Sequence, residues 1–255
     1  MHVFRRLRLP IGLILLCVLI APRITSGQTD STSAPATITT ADIVRQLVAR
    51  NQDRAQRLGH YTSERHYQIQ YRGFPHAAAA SMDVQADCDG SSSRTFRVLS
   101  ESGSHLLINH VLKKLLLSEE EGAHNQSETA LTPANYLFTL VGATRENGRQ
   151  LYVLKVAPIV ARKLLYRGTI WVDAEDYAVV RIEAEPAQNL SFWIRNTQIH
   201  HVYSKTGEFW LPESDRSETK VRLGGTAILT IDYGTYRFSQ PSTQSAQLQD
   251  AGSER

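Results

Sequence analysis

The chain has 255 residues, with 28 Lys and Arg against 25 Asp and Glu, and 42% hydrophobic residues, enough to bury a sizeable core. Its basic excess lies in the first 27 residues: subtracting their four arginines leaves 24 basic against 25 acidic residues, a formal charge of −1, without the dense basic stripe that nucleic-acid binding needs. Of two cysteines only Cys88 lies beyond that segment, so an intramolecular disulfide is excluded there and the fold must hold by its core.

The chain opens with Arg5, Arg6 and Arg8, continues in an apolar run from Ile11 to Ile20, and reaches small residues at Thr25, Ser26 and Gly27. This order predicts a secretory signal peptide over residues 1–27 and a secreted product starting near Gln28. The run is shorter than the roughly 20 residues of a membrane span, which disfavours an uncleaved anchor. Cys17 follows Leu16, not the small residue that a lipoprotein signal needs, and reads as part of the apolar segment. Residues 28–38 are small and polar, a flexible spacer, and residues 239–255 have the character of a disordered tail. One domain over 39–238 remains.

Thr40 is placed to cap a first helix carrying Ile43, Val44, Leu47, Val48 and Leu58 at helical spacing, with Gly59 after it. The period then becomes two. Tyr67, Ile69 and Tyr71, then Met82, Val84 and Ala86, then Phe96 and Val98 predict three antiparallel strands. A second helix is predicted from Ser104 to Glu119, with Leu106, Leu107, Val111, Leu112, Leu115 and Leu116 forming an apolar face too wide for one modest stripe. A strand through HLLINHVLKKLLL is the alternative. Turns at ENG, DAED, KTG and GG, and a break after WLP, then divide the remainder into eight strands. The sum is an α+β fold: about 10 or 11 antiparallel strands in a sheet that curls upon itself and is covered by the helices.

Enzyme signatures are weak. His200 and His201 are adjacent and point to opposite faces of a strand, and His105 and His110 have poor spacing for a metal pair. Glu119, Glu120 and Glu121 read as a solvated helix end, and Asp173, Glu175 and Asp176 as turn chemistry rather than a cation site. Cys88 reads as a small buried residue. No GxSxG, P-loop or zinc signature is present, so no catalytic residue, metal or cofactor is expected. NQS at Asn125 and NLS at Asn189 match glycosylation acceptors in wording only.

The order helix, three strands, apolar helical insert, long meander, together with the stretches TPANYLFTLVG, LYVLKVAP, GTIWVDAEDYAVVRIEAEP and GEFWLPESDRSETKVRLGGTAILTIDY, resembles the bacterial outer-membrane lipoprotein-sorting proteins, the LolA-like periplasmic carriers and their relatives. The resemblance implies an incomplete β-barrel closed by helices, with a hydrophobic cavity for acyl chains, no cofactor and a periplasmic location. It also implies a lipoprotein or lipid as partner, with a membrane-bound donor or receptor and a monomeric state. Alternation puts Tyr67, Ile69, Tyr71, Phe96, Val98, Ile170, Val172, Val180, Ile182, Leu229 and Ile231 on the favoured inward face, with Leu107, Val111 and Leu115 opposite on the helix. Ordinary core packing competes with cavity lining at each position. Trp171, Trp193 and Trp210 fit either the cavity mouth or the outer face. A sensor domain that passes a signal to a protein partner, and a hydrolase with scattered catalytic residues, are the rival functions.

Overall fold

The computed structural model describes residues 38–90, 93–124, 126–162, 164–188, 194–222 and 224–239, all within the unit that begins at Ile38. The expected leader, spacer and tail, with Cys17, Trp193, Asn125 and Asn189, lie outside the described residues.

Helix α1 (Thr40–Arg57) is capped by Thr39 rather than Thr40. Thr39 and Asp42 form a reciprocal capping box, satisfying two amides that the first turn leaves without partners. Thr40 is thereby free to accept from the Leu140 amide at 3.3 Å and tie the helix start to the sheet. The helix ends at Arg57, with Leu58 as its C-cap.

Ten strands follow: β1 (His60–Gly73), β2 (Ala78–Asp89), β3 (Ser93–Gly103), β4 (Tyr136–Glu146), β5 (Arg149–Pro158), β6 (Tyr166–Asp173), β7 (Val179–Pro186), β8 (Ile194–Thr206), β9 (Phe209–Val221) and β10 (Gly225–Phe238). They form one antiparallel sheet in the order β3-β2-β1-β10-β9-β8-β7-β6-β5-β4. The chain returns on itself when β10 pairs with β1, so the sheet stays open, with β3 and β4 as its edges. The expected ENG turn is a two-residue hairpin in which Asn147 and Gly148 both have positive φ, the geometry that matches strand twist.

The expected break after WLP is absent: β9 runs through Pro212. A register shift beside Tyr203, which faces Pro212, places the missing N–H at a bulge, where proline is tolerated inside a sheet. Between β3 and β4 lies the helical insert, α2 (His105–Leu107), a π-helical turn (Ile108–Leu112) and α3 (Lys113–His124), followed by α4 (Gln126–Thr129). Ser104 caps its start, as its position predicts.

Two cores occupy the concave face. The first packs Ile43, Val44 and Leu47 of α1 on Leu154, Val156, Ile170, Val172, Ile182 and Ala184 of β5 to β7. The second packs Leu107, Ile108, Leu112 and Leu116 of the insert on Tyr67, Ile69, Met82, Val84 and Ile231 of β1, β2 and β10. Cys88 is buried beside Tyr61 and Ala86 at the edge of this second region. Among the described residues no helix is long and apolar enough to cross a membrane.

Candidate ligand cavity

Because α1 covers β5 to β7 and the insert covers β1, β2 and the adjoining part of β10, the strands between them keep open space above them. A cavity of about 700 Å³ lies there, over β8, β9 and β10 and beneath the insert. That volume is within the roughly 300–1,000 Å³ typical of small-molecule sites. Ile69 and Tyr71 of β1, Leu229 and Ile231 of β10, and Leu107, Val111 and Leu115 of the insert line it. These seven belong to the set expected from alternation.

The other seven lie elsewhere. Tyr67 is wholly buried in the second core, and Phe96 packs against that core and the region around Tyr61. Val98 is 38% exposed, on an edge strand whose register shifts between Asp83 and Val84. Ile170, Val172 and Ile182 share the concave face but are sealed beneath α1. Val180 is displaced by a bulge: Val172 pairs with Val179, and Val179 takes the place against the first core that alternation gave to its neighbour.

Sequence reasoning missed the wall made by β8 and β9, where Thr197, Ile199, His201, Tyr203, Asp215, Ser217, Thr219 and Val221 line the cavity. An alternating apolar pattern marks a strand face that meets a core. This face meets open space instead, and its small and polar residues broke the pattern. SDRSETK, mid-sheet yet without apolar alternation, was the available signal.

The end of the cavity away from Tyr71 and Val221 is polar. Glu119 of α3 is not solvated but accepts from Arg65 Nη1 at 2.9 Å, Arg94 Nη1 at 3.3 Å and the Tyr67 hydroxyl at 3.0 Å. The Arg65 side chain is only 3% exposed and its guanidinium stands 5.0 Å from the Tyr233 ring centre and 5.2 Å from that of Phe96. The Tyr233 hydroxyl donates to Asp215 at 2.7 Å, and His201 Nδ1 contacts the other oxygen of the same carboxylate. Burial pushes the phenols of Tyr67, Tyr203 and Tyr233 upward, and neighbouring carboxylates add to this, so all three stay protonated donors at neutral pH. Arg94 Nε is buried without a partner among the described residues. His200 is exposed while His201 faces the cavity, as their adjacency on a strand requires.

The acidic turn between β6 and β7 is a separate feature. Asp173 is 1% exposed, receives Arg149 Nη2 at 2.9 Å, and accepts the Glu175 and Asp176 amides at 3.0 and 2.8 Å. Burial raises its pKa, but these hydrogen bonds outweigh that and hold the carboxyl below its ordinary range. Asp176 accepts from Lys205, Trp210 and Arg149, while Arg54 of α1 donates to the Asp176 and Tyr177 carbonyls. The turn is thus a clamp on the end of α1, with its acids already matched by protein cations. Among the described residues no group of three or more His, Cys, Asp and Glu is placed to hold a metal ion. Trp210 belongs to this clamp, and Trp171 stands on the other face of β6 with the Arg181 guanidinium 3.9 Å from its ring centre; neither lines the cavity.

The site therefore belongs to a class defined by its architecture: an open antiparallel sheet whose concave face is partly covered by helices, leaving an apolar cavity with a charged end. Solved structures from the group that the sequence resembles are among those similar to this chain. A LolA superfamily protein from Nitrosomonas europaea is 10% identical with a TM-score of 0.41, over 82% of this chain and 97% of that one. A DUF1329 family protein from Desulfovibrio piger is 12% identical with a TM-score of 0.44, over 84% and 99%. The lipoprotein LppX of Mycobacterium tuberculosis is 10% identical with a TM-score of 0.26, over 80% and 99%. No family model matches the chain. No curated protein matches it either.

Proposed function

We propose that this protein is a non-catalytic binding protein of the bacterial envelope that holds an acyl chain of a lipid or lipoprotein in the cavity between β8 to β10 and the helical insert. The observation that carries the reading is the cavity itself, walled on two sides by Ile69, Leu229, Ile231, Leu107, Val111 and Leu115 and left open by both cores. Each methylene moved from water into such a space gains about 0.8 kcal/mol, so ten of them gain roughly 8 kcal/mol before the cost of association. A single chain needs no covalent step to load or leave. The leader over residues 1–27 carries the protein out of the cytoplasm, and a membrane-bound donor or receptor is the partner that such cargo requires.

Native mass spectrometry of the protein purified from its own envelope tests this. An adduct that dissociates as a lipid or an acylated polypeptide is expected. A clean apo mass that persists after mixing with lipid and with acylated lipoprotein contradicts the reading, and turnover of an ester panel at the cavity would replace it with a hydrolase.

A further inference from the structure

The pairing registers place the ends of β1, β3, β5, β7 and β9 and the starts of β2, β4, β6, β8 and β10 on one rim of the sheet. Of the eleven exposed large apolar side chains among the described residues, six stand on this rim: Phe74, Leu106, Leu137, Ile159, Val160 and Leu164, each 51–76% exposed. The opposite rim carries Phe238 alone. Isolated exposed apolar residues need no explanation, but a cluster confined to one end of a molecule marks a contact surface.

The matching of charge also differs between the rims. Among the described residues of this rim, 74–77, 104, 130–135, 159–162, 164–165, 187–188, 222 and 224 contain no Asp or Glu, and the acids of the β3–β4 connection, Glu119, Glu120, Glu121 and Glu128, lie within the helical insert. Those on the opposite rim, 58–59, 90, 147–148, 174–178 and 207–208, contain Glu175, Asp176 and Glu208, and these acids are matched by Arg149, Lys205 and Arg57. Arg72, Arg162 and Lys220, exposed at the apolar rim, have no carboxylate partner among the described residues, and Glu185 near it is matched by Arg167 at 3.1 Å. The apolar tips are presented on braced connections. Ile159 N–H donates to Asn135 O at 2.9 Å, Gln188 Nε2 to Ala161 O at 2.8 Å, and the Tyr71 hydroxyl to Phe74 O at 2.7 Å.

From this juxtaposition we infer that the rim is a docking surface for an anionic phospholipid bilayer: Phe74, Leu106, Ile159, Val160 and Leu164 enter the headgroup layer and Arg72, Arg162 and Lys220 meet lipid phosphates. An anionic lipid surface meets the exposed apolar tips and the basic side chains without carboxylate partners at once, which favours the bilayer as the occupant. The cavity-lining residues Tyr71, Pro186 and Val221 stand at the same rim, so the apolar end of the cavity lies next to the docked membrane.

Sedimentation with vesicles of phosphatidylcholine, with and without phosphatidylglycerol, tests the inference on the full chain. Wild type binds the anionic vesicles and releases them in high salt. The triple variant Ile159→Ser/Val160→Ser/Leu164→Ser and the charge variant Arg72→Glu/Arg162→Glu each bind at least about tenfold more weakly. A control, Leu117→Ser/Val141→Ser, exposed but off the rim, binds as wild type does. All four chains share residues 1–37, so the differences between them report the rim. Far-ultraviolet circular dichroism verifies their folding, and the charge variant decides if the triple variant is unfolded. Equal binding by wild type and both rim variants, or no binding by wild type, overturns the proposal. So does a dimer seen in sedimentation equilibrium that the rim variants dissociate. Binding of a fluorescent acyl probe by the rim variants stays at the wild-type level, so a failure of docking and a failure of the cavity reading are told apart.

Discussion

Glu119 fastens the helical insert to the sheet by accepting from Arg65, Arg94 and Tyr67 across the polar end of the cavity. Removing one member of a buried ion pair leaves the other charge without compensation, and Arg65 is far more buried than Glu119, whose side chain is 17% exposed. Glu119→Ala is therefore expected to cost about 2–4 kcal/mol in urea unfolding, and Glu119→Gln, which still accepts a hydrogen bond, distinctly less. Asp173 makes a second test. Its folded-state pKa is lowered, so its contribution is fully present above the unfolded value of about 3.9 and is lost as pH falls through the folded value. The unfolding midpoint should fall more steeply with acid below about pH 4 in wild type than in Asp173→Asn, and equal acid sensitivity would remove Asp173 from the account. Neither role was fully legible in the sequence. Glu119 opens a run of three glutamates that reads as solvated, and only the fold brings two arginines to it from β1 and β3. Asp173 was readable as a turn residue, because its hydrogen bonds to the Glu175 and Asp176 amides are local, but its partner Arg149 comes from another strand.

Helices and hairpins were legible wherever local chemistry decides them. The periodicity of α1, the Ser104 start of the insert and the Asn147-Gly148 turn follow from short stretches of sequence, whereas the cap of α1 falls on Thr39, one residue before the expected Thr40. Strand faces were legible only where a helix covers them. At Val180 and Val98 a single bulge shifts the alternation, and bulges leave no reliable mark in an otherwise apolar run. The wall of β8 and β9 was illegible because it faces a cavity rather than a core. Two substitutions probe how tightly these elements fit. Gly168 lies against β7 so closely that an added Cβ would sit 2.1 Å from the Glu183 carbonyl oxygen and 2.6 Å from Ala184 Cα, both backbone atoms. Gly168→Ala is expected to destabilise by about 1–3 kcal/mol through forced separation of the strands. Thr39→Ala, which removes the cap of α1, should cost about 1 kcal/mol by thermal or urea unfolding.

In the whole molecule, an open sheet of ten strands is covered by two separate helical elements whose footprints do not meet. Of the fourteen expected cavity residues, Tyr67, Phe96, Ile170, Val172 and Ile182 serve the cores under those covers instead, and the cavity lies over the strands between the two cores. That division follows from which strands lie side by side, above all the pairing of β1 with β10, a contact between residues far apart in the chain. The most direct measurement is equilibrium titration of the purified protein with an environment-sensitive fluorescent acyl probe, in wild type and in Val111→Trp and Leu229→Phe, which narrow the cavity from opposite sides. Saturable one-to-one binding by wild type, weakened about tenfold or more in both variants while their unfolding midpoints stay near the wild-type value, is the predicted result. Absence of saturable binding by wild type, or equal affinity in folded variants, would contradict the account.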